Sequence, residues 1–210
     1  METYFTKTDI ARAAEILRAG GLVVVPTETV YGLAANGLDE KAVEEIYRVK
    51  GRPETKPISL LVDGIETASR FCSEVPEAAR CLASAFWPGP LTMILRKNDL
   101  VPAVVTAGGD TVGVRCPDHP LTLNLLRVLG LPLATPSANP SGLPAPTDAL
   151  AAASYLEGKI PCILDGGACI VGVASTIVDF TGPRARILRQ GVLSAEDLSA
   201  AAGCEVTLCV

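Results

Sequence analysis

Three hydroxyl pairs, Thr27/Thr29, Thr135/Ser137 and Ser175/Thr176, follow apolar runs in this chain. Any one pair could cap a helix or satisfy a turn, since Ser and Thr favour both places. Repeated at strand ends, they also form a set of polar contacts for a ligand. Arg115, closing the run TVGV at 111–114, and Arg189, after Ile187 and Leu188, occupy equivalent positions. Either could be an exposed ion pair of little energetic weight. The densest charge is cationic: Arg48, Lys50, Arg52 and Lys56 are opposed within residues 48–56 by Glu54 alone. Such a stretch is either a solvated loop or a phosphate clamp, in which arginine offers a bidentate fork and lysine a point charge. Glu28 and Asp165 are carboxylates that could help hold magnesium. His119, between Asp118 and Pro120, reads as a capping or structural histidine rather than a general base. The sequence has no Walker loop, GxGxxG, HExxH, GxSxG or DFG-like set, so the familiar phosphate cradles and hydrolase elbows are missing.

The elements that must position these groups alternate in type. Thr8 or Asp9 can cap a helix with Ile10, Ala13, Ala14 and Leu17 on one face, ended by Gly20 and Gly21. A strand over 22–25 follows. A second helix starts near Asp39 with Val43, Ile46, Tyr47 and Lys50 at helical spacing, and Pro53 and Pro57 stop it. Residues 58–62 read as a buried strand, 64–72 and 76–86 as helices, the second opening with Pro76. WPGP at 87–90 is a rigid turn into a strand over 91–95. Further strands are expected at 112–115, 131–135, 160–164, 171–180 and 185–188, a helix at 121–129, and an alanine-rich helix capped by Thr147 and running to about Leu156. Ser194 with Asp197 approximates a capping box for a last helix, and residues 205–210 form a closing strand. This alternation predicts a layered α/β fold around a twisted, mostly buried sheet. The Pro/Gly-rich stretches at 136–146 and 165–172 fall at strand ends, where ligand sites in such sheets form.

Bulk composition narrows the function classes. A length of 210 residues fits one large α/β domain, or a domain with a small appendage. Apolar residues make up 49% but aromatics only 4%, so the core must come from Val, Leu, Ile and Ala, and a stacking platform for single-stranded nucleic acid is disfavoured. A net charge of −5 gives no footprint for nonspecific nucleic-acid binding. The 7 cysteines include no CxxC pair and there is 1 histidine, which does not fit the usual zinc patterns; the thiols read as buried and reduced. Glu2, Asp9, Arg12, Glu15 and Arg18 near the start, and apolar stretches no longer than a strand, give the expectation of a soluble, intracellular protein without signal peptide or membrane span.

Taken together the motifs resemble the YrdC-like family of threonylcarbamoyl-AMP synthases. The likeness is carried by PTETVYGL at 26–33, KxR at 50–52 with Lys56 and Pro57, WPGPLT at 87–92, TVGVR at 111–115, HP at 119–120, PSAN at 136–139, the Asp165, Gly166, Gly167 turn, ASTIVD at 174–179 and LRQG at 188–191. They occur in family order from about residue 8 to 195. The resemblance implies a YrdC-like fold, a twisted mixed open sheet flanked by helices with a concave basic cleft, as a single domain over residues 1–210. It also implies a nucleotidyltransferase that joins L-threonine, bicarbonate and ATP into threonylcarbamoyl-AMP and pyrophosphate, for modification of tRNA next to the anticodon. The threonine amine would capture bicarbonate as a carbamate, whose oxygen attacks the α-phosphorus of ATP. Positioning and cationic neutralisation then supply the rate, which suits hydroxyls and Arg/Lys better than a His or Cys nucleophile.

Carried over by the same resemblance, Thr29, Arg115, Thr135 and Ser175 would hold threonine, with Leu61 contributing through its backbone. Arg52, Lys56, Thr111, Ser137 and Arg189 would contact ATP, and Ala145 would close over it. Lys50 joins Arg52 as a catalytic candidate toward phosphate or carbamate, and Asn139 would orient its loop. ATP is implied as substrate with Mg2+ and with neither zinc nor an organic cofactor. The implied setting is cytoplasmic, with a downstream threonylcarbamoyl transferase complex, weak tRNA binding and no membrane. An RNA-binding YrdC-like module and a carbamoyl-adenylate transfer module of hydrogenase-maturation type are the alternatives. The acidic composition with few aromatics disfavours the first, and the lack of acylphosphatase or zinc-finger segments disfavours the second.

Overall fold

The structure, a computed structural model, describes residues 2–209. Its elements run β1 (Tyr4–Thr6), α1 (Ile10–Arg18), β2 (Val23–Val25), β3 (Gly32–Asn36), α2 (Glu40–Lys50), β4 (Leu60–Leu61), α3 (Ile65–Ser69), α4 (Glu77–Phe86), β5 (Leu91–Arg96), β6 (Thr111–Arg115), α5 (Pro120–Leu129), β7 (Leu133–Ala134), α6 (Ala149–Leu156), β8 (Cys162–Leu164), β9 (Thr176–Asp179), β10 (Ala185–Arg189), α7 (Ala195–Ala202) and β11 (Val206–Leu208). One mixed sheet takes all the strands in the order β1-β8-β2-β3-β7-β4-β6-β5-β9-β10-β11. This is the expected mixed sheet flanked by helices.

Side-chain alternation gives the sheet two apolar faces. On one, Val23 and Val25 of β2, Ala34 of β3 and Leu133 of β7 pack against Ile10, Ala13, Ala14 and Leu17 of α1 and Leu125, Leu126 and Leu129 of α5. That cluster stops at Leu61 of β4. On the other, Leu60, Leu91, Met93, Val112, Val114 and Val178 meet α2, α4, α6 and α7. Beyond β4 the first face therefore carries no apolar cluster over β6, β5, β9 and β10, and the cleft described below opens there.

Local chemistry explains most boundaries. The Asp9 carboxylate accepts from Arg12 N at the start of α1, Asp39 from Lys41 N and Ala42 N at the start of α2, and Ser194 Oγ from Asp197 N at the start of α7. Gly51 ends α2 with φ 56°, a left-handed conformation open to glycine at little cost. The alanine-rich α6 is capped by Asp148, one residue later than expected, because its carboxylate reaches Ala151 N. His119 occupies the N-cap position of α5 without a side-chain capping bond, so the capping reading is corrected. Several strands are shorter than their apolar runs: 58–62 reduces to Leu60–Leu61, and 171–180 to Thr176–Asp179. In the second case Val171 N donates to the Glu28 carbonyl at 2.8 Å and Gly172 has φ 67°, so residues 171–175 run as a loop before the ladder begins. β1 and β3 were not anticipated; the terminal strand of 205–210 is β11, and residue 210 lies outside the described residues.

Candidate active site

A row of side chains crosses the uncovered part of the sheet. Leu61 pairs with Arg115, Thr92 with Ile177, and Ile177 with Arg189, while the pairing of Met93 with Val114 brings Thr92 alongside Arg115. Opposed residues in adjacent strands share a face, so these groups form one floor about 19 Å long, four strand spacings of about 4.8 Å. They line a cleft of about 290 Å³ whose walls include Thr29, Arg52, Ser59, Thr135, Ser137 and Ala145. Three arginines and no carboxylate contribute to this lining.

Arg115 is fixed from behind. Its Nη2 donates to Glu28 Oε1 at 2.7 Å and to Thr29 Oγ1 at 2.8 Å, and its Nε to the Gly89 carbonyl at 3.3 Å. Side-chain exposures of 9% and 6% make Arg115 and Glu28 a buried ion pair, and Glu28 Oε2 also accepts Asp118 N at 3.1 Å. The magnesium reading of Glu28 is thereby corrected, since its oxygens already serve Arg115 and a backbone amide. Next to it, Thr27 Oγ1 donates to the Val30 carbonyl at 2.7 Å and lies 2.9 Å from Thr29 Oγ1. Thr27 spends its single proton on Val30, so Thr29 is the donor between the two hydroxyls. Thr29 also accepts from Arg115, which leaves one lone pair and makes it an acceptor toward any ligand N–H.

Ser175 Oγ lies 2.8 Å from Thr92 Oγ1 and accepts from Arg189 Nη2 at 3.1 Å, while Arg189 Nε donates to the Ser175 carbonyl at 3.0 Å. Gly191 allows this closeness: a Cβ there would lie 2.5 Å from Thr176 N and 2.7 Å from the Ala174 carbonyl. Burial, then the charge of Arg115, pulls the Arg189 guanidinium below its ordinary pKa. Two cations thus face each other across the floor with the Glu28 carboxylate behind one of them, an arrangement that an anionic ligand would relieve.

The cationic stretch divides. Arg52 lines the cleft and donates from Nε to the Lys56 carbonyl at 3.1 Å and from Nη2 to the Pro57 carbonyl at 2.8 Å. Lys56 is exposed outside the lining. Arg48 turns away to pair with Glu45. Lys50, expected to meet phosphate or carbamate, is 3% exposed and donates to the carbonyls of Ser137 and Asn139; in this structure it is a buried loop contact and not a lining group. Burial, then the neighbouring Arg52 charge, pulls its ammonium down to about 8. Asn139 Nδ2 donates to the Leu143 carbonyl at 2.6 Å and the Pro140 carbonyl at 3.0 Å, and its Oδ1 is buried without a partner. Thr111 shares the face of Arg115 but sits at the other end of β6, roughly 13 Å away, outside the lining.

The cleft therefore brings together Thr29, Arg52, Leu61, Arg115, Thr135, Ser137, Ala145, Ser175 and Arg189, and leaves out Lys50, Lys56, Thr111 and Asn139. It adds Thr92, Ser59 and Ile177. Thr92 had a signal in the sequence, a lone hydroxyl inside the apolar run at 91–95. Ser59 had none beyond lying next to a strand.

Around the cleft, His119 packs on Gly166, where a Cβ would meet the imidazole Cε1 at 2.4 Å, and burial lowers its pKa. Tyr31 accepts Gly166 N at 3.0 Å and donates to the Gly167 carbonyl at 2.6 Å, holding the 165–167 turn. Asp165 pairs with Lys7 at 3.6 Å. Among the described residues no group of three or more His, Cys, Asp or Glu side chains could hold a metal ion, and no helix is long and apolar enough to cross a membrane. Cys72, Cys116 and Cys162 are buried, but Cys204 and Cys209 are exposed, correcting the expectation of uniformly buried thiols.

Residues 15–191 match the Sua5/YciO/YrdC family profile, described as telomere recombination. The chain is 47% identical over 191 residues to the threonylcarbamoyl-AMP synthase of Pyrococcus abyssi and 45% identical over 195 residues to that of Bacillus subtilis. These alignments cover 91% and 92% of the chain and 56% of each relative, so the chain spans about half the length of the curated relatives it matches. Among solved structures, P. abyssi Sua5 complexed with L-threonine has a TM-score of 0.92 and 44% identity, with 98% of this chain and 62% of that one covered.

Proposed function

Since this chain belongs to the Sua5/YciO/YrdC family, we propose that it forms L-threonylcarbamoyl-AMP and pyrophosphate from L-threonine, bicarbonate and ATP. The observation that carries the reading is the cleft floor, where Arg115 and Arg189 face each other among hydroxyls with no carboxylate in the lining. Such a floor suits two anionic substrates that must meet, an amino-acid carbamate and a nucleotide triphosphate.

In this reading Arg115, steadied by Glu28, pairs with the threonine carboxylate. Its Nη1 has no hydrogen-bond partner among the described residues. Thr29, an acceptor by its own hydrogen bonding, takes the N–H of threonine or of its carbamate. Thr135 and Ser175 complete the amino-acid site, and the Leu61 backbone borders it. Arg52, Ser137 and Arg189 meet the nucleotide and Ala145 covers it, while Thr111 and Lys56, outside the lining, would meet it where it extends beyond the cleft. The threonine amine adds to bicarbonate with loss of water to give the carbamate, whose oxygen attacks the α-phosphorus as the bond to pyrophosphate breaks. The arginines neutralise charge on the transferring group, and no side chain takes part covalently. The described residues supply no carboxylate set for magnesium, so any divalent ion would arrive on the triphosphate oxygens, and no step is assigned to a protein-held metal. The product would pass to a separate transferase acting on tRNA in the cytoplasm, with tRNA meeting this chain only weakly.

Pyrophosphate release from ATP and bicarbonate, measured with and without L-threonine, tests the assignment. The expected result is release that requires threonine. Equal release without it would rule the reading out.

A further inference from the structure

The loop at 136–146 brings Ser137 and Ala145 to the cleft. Its ends are tied to the segment before and into β3, where Leu33 N donates to the Pro136 carbonyl and Tyr31 N to the Pro146 carbonyl, both at 2.9 Å, and inside it Leu143 N donates to the Pro140 carbonyl at 3.1 Å. Pro136, Pro140, Pro144 and Pro146 have no N–H to give, and residues 141–145 are exposed. The Ser137 and Asn139 carbonyls are left to donors from elsewhere. Lys50, the last residue of α2, supplies them: its ammonium donates to the carbonyls of Ser137 and Asn139, while its own carbonyl accepts Ser141 N at 3.0 Å. Asn139 extends the brace through its bond to the Leu143 carbonyl at 2.6 Å. Among the described residues no carboxylate pairs with Lys50. A buried cation without a counter-ion is costly, and here its donors go to loop carbonyls and not to the cleft.

We propose that Lys50 is a positioning residue that clamps the 136–146 loop against the cleft, and that it does not itself touch the nucleotide. The loop's task rests on the cleft being the nucleotide site proposed above; the clamp itself does not. Amide hydrogen exchange over 137–145 in the substrate-free protein therefore decides the clamp apart from the activity. In Lys50→Met, exchange in this loop should rise about tenfold or more, as expected for losing charge-assisted bonds, while α2 and the sheet stay protected. The Lys50→Arg variant, which keeps donors, should recover part of the protection. Kinetically, Lys50→Met should raise the KM for ATP with a smaller change in kcat, because a misplaced loop weakens binding before it alters the transferring group. Unchanged loop exchange, or a kcat collapse at wild-type KM for ATP, would overturn the proposal. If Lys50→Met does not fold, Lys50→Gln, with its shorter amide donor, is judged by the same exchange readout. Wild-type protein that releases no pyrophosphate would sink the functional reading and leave the exchange result to decide the clamp.

Discussion

Arg115 and Glu28 show how one buried pair can organise a site. Each is nearly closed to solvent, so removing either leaves a charge that the interior cannot hydrate. Glu28→Ala should cost about 3–5 kcal/mol in urea unfolding, the usual penalty for an orphaned buried charge, and Glu28→Gln less because the amide oxygen still accepts. Thr27 acts through Thr29: with its proton spent on the Val30 carbonyl, it obliges Thr29 to donate inward and accept outward. Thr27→Val, with no oxygen to receive that proton, should free the Thr29 hydroxyl to rotate. The KM for threonine should rise about five- to tenfold, roughly 1 kcal/mol, with Thr27→Ser restoring it. His119 adds an acid-side sensitivity. Burial lowers its folded pKa below the ordinary 6.5, against the opposing influence of the Gly166 backbone, Glu28 and Asp118. As pH falls below 6.5 the unfolded chain binds a proton that the folded chain resists, so stability present above that pH is lost below it. Denaturant unfolding at pH 7.5 and 5.5 should show this loss in the wild type and a shallower one in His119→Gln.

At the level of elements, strand register assembles the site. Leu61, Thr92, Arg115, Ile177 and Arg189 come from five strands, and pairing sets them in one row, with a register shift between Ile187 and Arg189 bringing Arg189 opposite Ile177. A one-residue slip would turn any of them into the opposite core. β3 escaped the sequence reading because Gly32, Ala34, Ala35 and Asn36 are poor strand formers, and burial between β2 and β7 outweighs that propensity. Where strands cross closely, glycine is required. Gly191→Ala would force its new methyl group into the backbone of Thr176 and Ala174. It should lower stability by about 1–3 kcal/mol and, by shifting Ser175 and Arg189 apart, reduce pyrophosphate release further than the stability loss explains. Paired thermal unfolding and turnover measurements separate the two effects.

Across the whole molecule, a chain of net charge −5 gathers three arginines into one cleft, so its attraction for anions is local. Arg52→Ala should weaken ATP use by roughly 1.5–3 kcal/mol, the worth of a charge-assisted bond, with little change in melting temperature. Arg52→Lys, which keeps the charge but loses the fork held by the Lys56 and Pro57 carbonyls, should fall between. A titration of the KM for ATP across the three proteins checks the order. The sequence by itself determined most of the alternation of helices and strands, the helix starts near Asp9, Asp39 and Ser194, and the family motifs, because each is written in neighbouring residues; the structure chose Asp9 over Thr8 as the first cap. The sequence also marked most of the polar side chains that reach the cleft, all but Ser59 and Thr92. Only the tertiary structure decided which of the cations face it. Arg52 and Lys50 lie two positions apart, yet a helix end directs one to the cleft and the other beneath a loop whose Ser137 and Asn139 carbonyls it satisfies. Burial, register and the demand of unpaired carbonyls are long-range quantities, and no local spacing contains them.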